Sequence, residues 1–486
     1  MICIPFDSFG APEYDGNVMD IFNSLSRKKE EFKPLFDEKI NMFVCGPTVY
    51  DSSHIGHART YVFFDVAVKF LRHAGYTVFY LQNVTDIDDK VIIRARELGQ
   101  NPLFLSRHYA REYFQDMNEL KISSVSKYAP ATKYIPHIIV QIKRLVQKGY
   151  VYTISEDGLY FDIKKFSEYG KLSGRTAAEA EDAVSRIDDS IKKRNRGDFC
   201  VWKFEKPGEP SWASPWGIGR PGWHIEDTAI SEHFFGPQYD IHGGGIDLKF
   251  PHHESEIAQQ EAASGRKPFV KYWMHTGHLQ VTGTKMSKSL KNFITIRDLL
   301  KKYSAESFRL LVLQNHYRSP LNFTNGSIRA AEEGIKRIAE CIQRLRKITN
   351  HKSQIINKFR VPNSKYSNDL REKFCEAMND DFDTPKVIAE IFRFITDTNK
   401  RIDAGELSKK DAREILVSLK RIDSVLGIIP IIKQKKIPEV IKKLSEERER
   451  CRKEKNWTNA DAIRQEIEQK GYSVKDGPDG PLVQKK

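Results

Sequence analysis

The run Phe43-Val44-Cys45-Gly46-Pro47-Thr48-Val49-Tyr50-Asp51-Ser52-Ser53-His54-Ile55-Gly56-His57 leaves the chain few conformational choices. Ile40, Met42 and Val44 alternate with Asn41, Phe43 and Cys45, which is the period of a strand. Gly46-Pro47 breaks that strand. Val62, Val66, Phe70 and Leu71 then recur at helical spacing, with Gly75 as the stop. A helix start directs free N–H groups and partial positive charge at whatever lies before it. His54 and His57 stand three apart there, so both can face one anion. Gly56 lets a flat ring or a phosphate approach the backbone. The run reads as a nucleotide site, although a capped surface helix would account for either histidine alone.

A second apolar run, residues 76–84, reads as a buried parallel strand and ends in Thr85-Asp86-Ile87-Asp88-Asp89-Lys90. Ligands gather at the carboxyl ends of parallel strands, so Cys45, Thr48 and Thr85 are expected along one edge of a sheet. The 486 residues exceed one ordinary core and imply two to four domains. A net charge of +14 points to a polyanionic partner, with nucleic acid foremost. The six cysteines are scattered without a paired spacing, which suits a reducing cytoplasm and excludes a disulfide framework. No apolar run reaches membrane length, and no leader pattern opens the sequence.

Residues 91 to about 150 read as helices, with Ile138, Ile139, Ile142 and Leu145 as a core stripe. Strands around 150–153 and 158–162 precede a charged stretch from Arg175 to Asp198, which reads as an insertion with a solvated face. The main domain resumes at Phe199. A loop rich in proline and tryptophan leads to Gly222-Trp223-His224-Ile225-Glu226-Asp227, a candidate pocket wall. Tyr239-Asp240-Ile241-His242 runs into Gly243, Gly244 and Gly245, where a ligand or a sharp turn would each explain the glycines. His252 and Glu256 share a helical face at metal-ligand spacing, which a surface hydrogen bond would also satisfy. A strand at 272–275 precedes Lys285-Met286-Ser287-Lys288-Ser289, a cationic loop suited to polyphosphate. From about 300 the pattern is helical, broken at 380–385. A lysine-rich linker at 433–436 separates a last small unit whose Arg448, Arg450, Arg452, Lys453 and Trp457 could meet RNA by charge and stacking.

Taken together, His54-Ile55-Gly56-His57 and Lys285-Met286-Ser287-Lys288-Ser289 resemble the two signature motifs of class I aminoacyl-tRNA synthetases. The words around Cys45, Thr85, Trp223 and Gly243 resemble the cysteinyl-tRNA synthetase family, and the likeness extends through Tyr317-Arg318-Ser319 into the helical region. The resemblance implies an α/β fold. A Rossmann-type parallel-sheet catalytic domain would occupy 1–130 and 201–325, split by a connective insertion at 131–200. A helical bundle at 326–430 and a small anticodon-binding domain at 431–486 would follow.

The implied reaction joins cysteine to ATP as cysteinyl-adenylate and then charges tRNA(Cys). The implied ATP site is His54, His57, Gly243, Gly244, Gly245, Lys285 and Lys288, with Mg²⁺ on the nucleotide. His54, His57, Lys285 and Lys288 would carry catalysis, and Thr48, Thr85, Trp223 and His242 the L-cysteine pocket. The family holds a zinc ion with two cysteines, a histidine and a glutamate. Here Cys45, His252 and Glu256 match three positions and Asp227 stands where the second cysteine belongs. Either Asp227 ligates in its place or zinc is weak; Cys200 lies too early in the chain to substitute. A cytoplasmic monomer without membrane contact is expected. Two rivals are a cysteine ligase of mycothiol biosynthesis, which lacks the tRNA-reading tail, and an inactive tRNA-binding paralogue.

Overall fold

The computed structural model describes residues 18–175, 190–286, 292–349, 365–430, 438–477 and 480–485. The chain divides into two compact units, Met1–Pro430 and Ile431–Lys486.

The first unit opens with a hairpin, β1 (Asp20–Asn23) and β2 (Lys28–Glu31). Then come β3 (Lys39–Val44), α1 (Ile55–His73), β4 (Thr77–Val84), α2 (Asp89–Glu97), α3 (Pro102–Glu119), β5 (Lys127–Pro130) and α4 (Ile135–Gln147). A four-stranded antiparallel sheet follows, β6 (Val151–Ile154), β7 (Gly158–Phe161), β8 (Phe199–Phe204) and β9 (Gly219–Pro221). This sheet crosses residue 200, where the sequence suggests that the insertion ends. The reason is pairing: β8 and β9 extend the antiparallel sheet before the chain returns through α5 (Ile225–Phe235), β10 (Tyr239–Gly245), α6 (Glu254–Ser264) and β11 (Val270–Thr276).

The strand order β11-β10-β3-β4-β5 is parallel throughout. Chain order runs outward from β3 to one edge through β4 and β5, and to the other through β10 and β11. The switch therefore falls between β3 and β10, and the crevice at their carboxyl ends is the natural ligand position of such a sheet. Cys45 enters it directly, its N–H donating to Gly243 O at 3.0 Å.

Beyond β11 the chain forms β12 (Leu279–Val281), β13 (Thr284–Lys285), α7 (Ile296–Leu300), α8 (Ala305–Leu313), β14 (Leu321–Phe323), α9 (Asn325–Ile348), α10 (Lys365–Asn379), α11 (Thr384–Asp403) and α12 (Lys409–Leu426). α1 is the spine between sheet and helices. Phe64 packs against Gly243 on the sheet side, while Phe63 stacks on Tyr317 at 4.2 Å and Phe70 meets Phe374 at 5.8 Å. Burial on several sides explains why α1 is apolar well beyond one stripe. The second unit pairs α13 (Glu439–Lys453) and α14 (Trp457–Gln469) with a hairpin, β15 (Tyr472–Gly477) and β16 (Gly480–Lys485), over Ile441, Ile467 and Val474. Trp457 is exposed there, with the Arg452 guanidinium 5.6 Å from its ring.

One buried charge cluster ties these layers together. Asp65 on α1 accepts from Arg309 at 2.9 Å, Lys69 at 2.8 Å and the backbone of Ser123 and Ser124. Arg309 in turn donates to Leu426 O and Leu120 O. Burial raises the Asp65 pKa, but Arg309 and Lys69 outweigh it and hold the carboxyl below its ordinary value. A depressed carboxylate contributes stability above its unfolded pKa, and that contribution is lost as pH falls through the folded value. Asp65→Ala should destabilise the first unit by about 3–5 kcal/mol, because Arg309 is left buried and unpaired. Its thermal midpoint at pH 7 should drop, and the gap to wild type should narrow below about pH 4; an unchanged midpoint would refute the assignment.

Candidate functional site

The crevice between β3 and β10 holds a dense set of donors. Cys45 follows β3, Asp227 lies in the first turn of α5, and Glu256 lies in the first turn of α6. His252 sits in the irregular turn Lys249–His253 before α6. One ligand atom from each of these four lies within 4.8 Å of the others, and all four residues are buried. His252 Nε2 is 3.1 Å from Asp227 Oδ2 and 2.9 Å from Glu256 Oε1. The four residues read from the sequence as metal ligands thus come together, the aspartate included. A second set overlaps the first: Cys45, His242, His253 and Glu256. Cys45 Sγ is 3.3 Å from His242 Nε2 and 3.2 Å from His253 Nε2.

Three acidic groups in one dry space repel one another. Burial, then Glu256 and Asp227, push the Cys45 thiol pKa well up. Burial also raises Glu256, to about 7, against the pull of His252. Burial opposes the charge on His252, yet Glu256 and Asp227 lift it to about 10. Glu256 Oε2 is buried and has no hydrogen-bond partner among the described residues. A divalent cation would supply the missing partner and counter-charge. Thiolate, imidazole and carboxylate donors at four corners suit zinc. His252 Nδ1 is occupied by His224 Nδ1 at 2.8 Å, which leaves Nε2 facing the carboxylates.

Around this cluster lies a polar wall. Thr48 and Thr85 form a backbone bridge, joined by Val49 N–H donating to Thr85 O and Thr85 N–H donating to Pro47 O. Thr85 Oγ1 donates to Glu226, and Asn83 Nδ2 donates to Asp227 Oδ1. Asn83 also explains Gly46, since any Cβ there would collide with Asn83 O. Trp223 stacks on His252 with 4.3 Å between ring centres. His242, expected beside the amino acid, is fully buried between Trp273 and the Cys45 sulfur, with Tyr239 OH on its Nδ1 at 2.6 Å. Gly243 and Gly244 have packing reasons for their missing side chains, namely Phe64 and His253; Gly245 is half-buried at the strand end.

His54 caps α1. Its Nδ1 accepts from Gly56 N–H at 3.1 Å and His57 N–H at 3.4 Å, and the two imidazoles stack 3.8 Å apart. Burial, then His54 and Lys90, lower the His57 pKa well below the ordinary value. The flank of the second motif docks on the same turn. Ile55 N–H donates to Ile294 O and Ile296 N–H to Ser53 O, while Phe293 meets His54 edge-on at 5.2 Å. Met286 lies beside Gly56. Lys285 closes β13; Lys288 lies outside the described residues.

Sequence reasoning missed three participants. His253 hides beside His252, and both reach inward because the turn that carries them is not yet helical. His275 receives His253 Nδ1 on its Nε2 at 2.9 Å and passes to Ser24 Oγ through its own Nδ1 at 2.8 Å. Arg59 reads as an ordinary helix cation, yet it is buried and donates to the carbonyls of Gly277, His278, Tyr317 and Ser319, which fixes the chain on both sides of the second motif.

Comparison with known proteins agrees with this arrangement. Residues 31–333 match the family described as tRNA synthetases class I (C) catalytic domain, 373–430 match the DALR domain, and 435–481 match the cysteinyl-tRNA ligase anticodon binding domain. A cysteine–tRNA ligase of Thermococcus gammatolerans is 45% identical over 472 residues, covering 95% of this chain and 98% of that one. One from Thermoplasma acidophilum is 46% identical over 465 residues, covering 95% and 99%. In fold, the chain resembles Mycobacterium tuberculosis methionyl-tRNA synthetase bound by methionyl-adenylate, with a TM-score of 0.60 at 14% identity over 80% of this chain and 92% of that one. It also resembles the leucyl enzyme of an Agrobacterium radiobacter ternary complex, with a TM-score of 0.61 at 11% identity over 82% and 85%. With a class I catalytic domain around this crevice and relatives of one kind along nearly its whole length, the chain belongs to the cysteine–tRNA ligase family of class I aminoacyl-tRNA synthetases.

Proposed function

We propose that the chain performs its family's reaction with the residues gathered at the β3–β10 switch. The observation that carries this reading is that one strand–turn–helix delivers both Cys45 to the four-donor cluster and His54 and His57 to the helix cap. The carboxylate of cysteine attacks the α-phosphorus of ATP, the bond to the β-phosphate breaks, and pyrophosphate leaves. The 2′-OH of the terminal tRNA ribose then attacks the carbonyl carbon, and AMP leaves.

Little covalent chemistry falls to the side chains, so positioning and charge stabilisation dominate. His54 and His57 face the phosphates as charge builds on the α-phosphorus. Lys285 and Lys288 would neutralise the β- and γ-phosphates, and Mg²⁺ bound with the nucleotide would supply further counter-charge. Gly245 and its two preceding glycines border the adenosine, and Thr48, Thr85 and Trp223 line the amino-acid pocket, with His242 at its base. Cys45, Asp227, His252 and Glu256 would hold zinc. When bound, the ion supplies a sulfur-preferring Lewis acid for the substrate thiolate, which separates cysteine from serine where shape alone gains little.

Residues 326–430 act as a helical bundle and 431–486 as the anticodon reader for tRNA(Cys), in a cytoplasmic monomer. Among the described residues no helix is long and apolar enough to cross a membrane, and five free cysteines suit a reducing compartment. Cysteine-dependent ATP–pyrophosphate exchange together with charging of tRNA(Cys) tests the reading. Exchange without charging would favour a ligase with a small amine acceptor, and no exchange a binding paralogue.

The purified protein should carry close to one equivalent of zinc, and His252→Ala or Asp227→Ala should lose most of it while Asp227→Cys retains it. Less than about half an equivalent in a fully active wild type would sink the metal assignment. His54→Ala should lower the exchange rate about 10²–10³-fold, or roughly 3–4 kcal/mol of transition-state stabilisation, with zinc content unchanged. A drop of less than tenfold would remove His54 from the phosphate site.

A further inference from the structure

A group of cations outside the phosphate turn borders the same crevice. The turn between β1 and β2 is bolted to β11: Ser24 N–H donates to Trp273 O at 2.8 Å, and Asn23 Oδ1 accepts from Trp273 N–H at 3.1 Å. Asn23 Nδ2 adds a bond to Lys271 O at 2.9 Å. The turn presents Arg27 in the left-handed region, at φ +62°, a conformation that favours glycine. A strained arginine on a rigid mount invites a functional cause. Its guanidinium lies against Gly174 of the insertion, so closely that any side chain there would collide with it.

Two further cations flank Arg27. Arg175 follows Gly174 and lies over the Phe250 ring at 4.7 Å. Lys249 precedes Phe250 and is half-buried; burial and the charge of Arg27 together lower its pKa. The acid that opposes this lowering is Glu254, whose carboxylate already accepts from the N–H groups of Leu172 and Ser173. Among the described residues none of the three cations forms an ion pair. Arg27 and Arg175 are exposed, so the group opens to solvent.

We propose that Arg27, Lys249 and Arg175 form a docking surface for successive phosphodiesters of the single-stranded 3′ end of the tRNA. This rests on the reading of the chain as a tRNA ligase and gives that reading a contact surface. The geometry favours RNA over nucleotide. The group lies at the β11 edge, between the hairpin and the insertion, whereas the capped turn for the triphosphate follows β3. Arg175 over Phe250 adds a planar cation–aromatic pair of the kind on which unpaired bases stack. The net charge of +14 supplies the long-range attraction.

The test compares wild type, R27Q/K249Q and R27K in charging of tRNA(Cys) across a salt series and in ATP–pyrophosphate exchange without tRNA. R27Q/K249Q should raise the KM for tRNA about tenfold and flatten the salt slope of log kcat/KM by about 1–1.5, since two phosphate contacts are lost. Exchange should stay within about twofold, and R27K should recover most of the KM because it restores charge rather than shape. An unchanged KM and salt slope would overturn the proposal. So would a parallel loss of exchange, which would assign the cations to ATP. A wild-type chain that exchanges pyrophosphate but charges no tRNA would instead overturn the underlying reading.

Discussion

Charge balance in a dry crevice governs this molecule. Cys45, Asp227, His252 and Glu256 meet where β3 and β10 diverge, with 4% exposure or less at each. Without a cation the Cys45 thiol and the Glu256 carboxyl are driven toward their neutral forms, and Glu256 Oε2 has no hydrogen-bond partner among the described residues. Such a cluster costs folding energy unless something neutralises it. Its persistence at the ligand end of a parallel sheet is the physical signature of a site, since strain and unmet charge are tolerated where function uses them.

The surrounding architecture keeps that cluster beside the phosphate turn. Cys45 directly follows β3 and α1 begins ten positions later, so the donor cluster and the helix cap share one short connection. α1 then runs between the sheet and the helices, held near its middle by Asp65 and Arg309 and near its start by Arg59. Arg59 gathers carbonyls before β12 and after α8, so the segment that carries Lys285 is anchored at both ends.

Much of this was legible in the residues. Period-two and period-three-to-four patterns located β3, α1 and β4, because each buries a regular face. Cys45, Asp227, His252 and Glu256 could be paired only through the family resemblance, since nothing in their spacing brings positions 45 and 227 together. β5 escaped because four residues, Lys127–Pro130, are too few for a period to register. His253 escaped because helical spacing puts adjacent residues on different faces, and the turn Lys249–His253 is not helical at Phe250, whose φ is −143°. Arg59, Asp65 and Arg309 make contacts across hundreds of residues, which local pattern cannot encode.

Asp227 is the sharpest departure from the family pattern, and its surroundings explain how it is accommodated. A thiolate and a carboxylate carry the same formal charge, so the electrostatic sum of the cluster is kept. A carboxylate also has two oxygens. Oδ1 accepts from Asn83 Nδ2, and Oδ2 faces His252 Nε2 at 3.1 Å. Asn83 is itself fixed, because its Oδ1 accepts from Gly46 N–H at 2.5 Å. One oxygen is thereby tethered to β4, and the other faces His252. A carboxylate can accept such an orienting hydrogen bond on one oxygen and keep the other for a second partner. An aspartate at this position gives up the softness of sulfur and gains a second oxygen, and Asn83 is the residue that holds it.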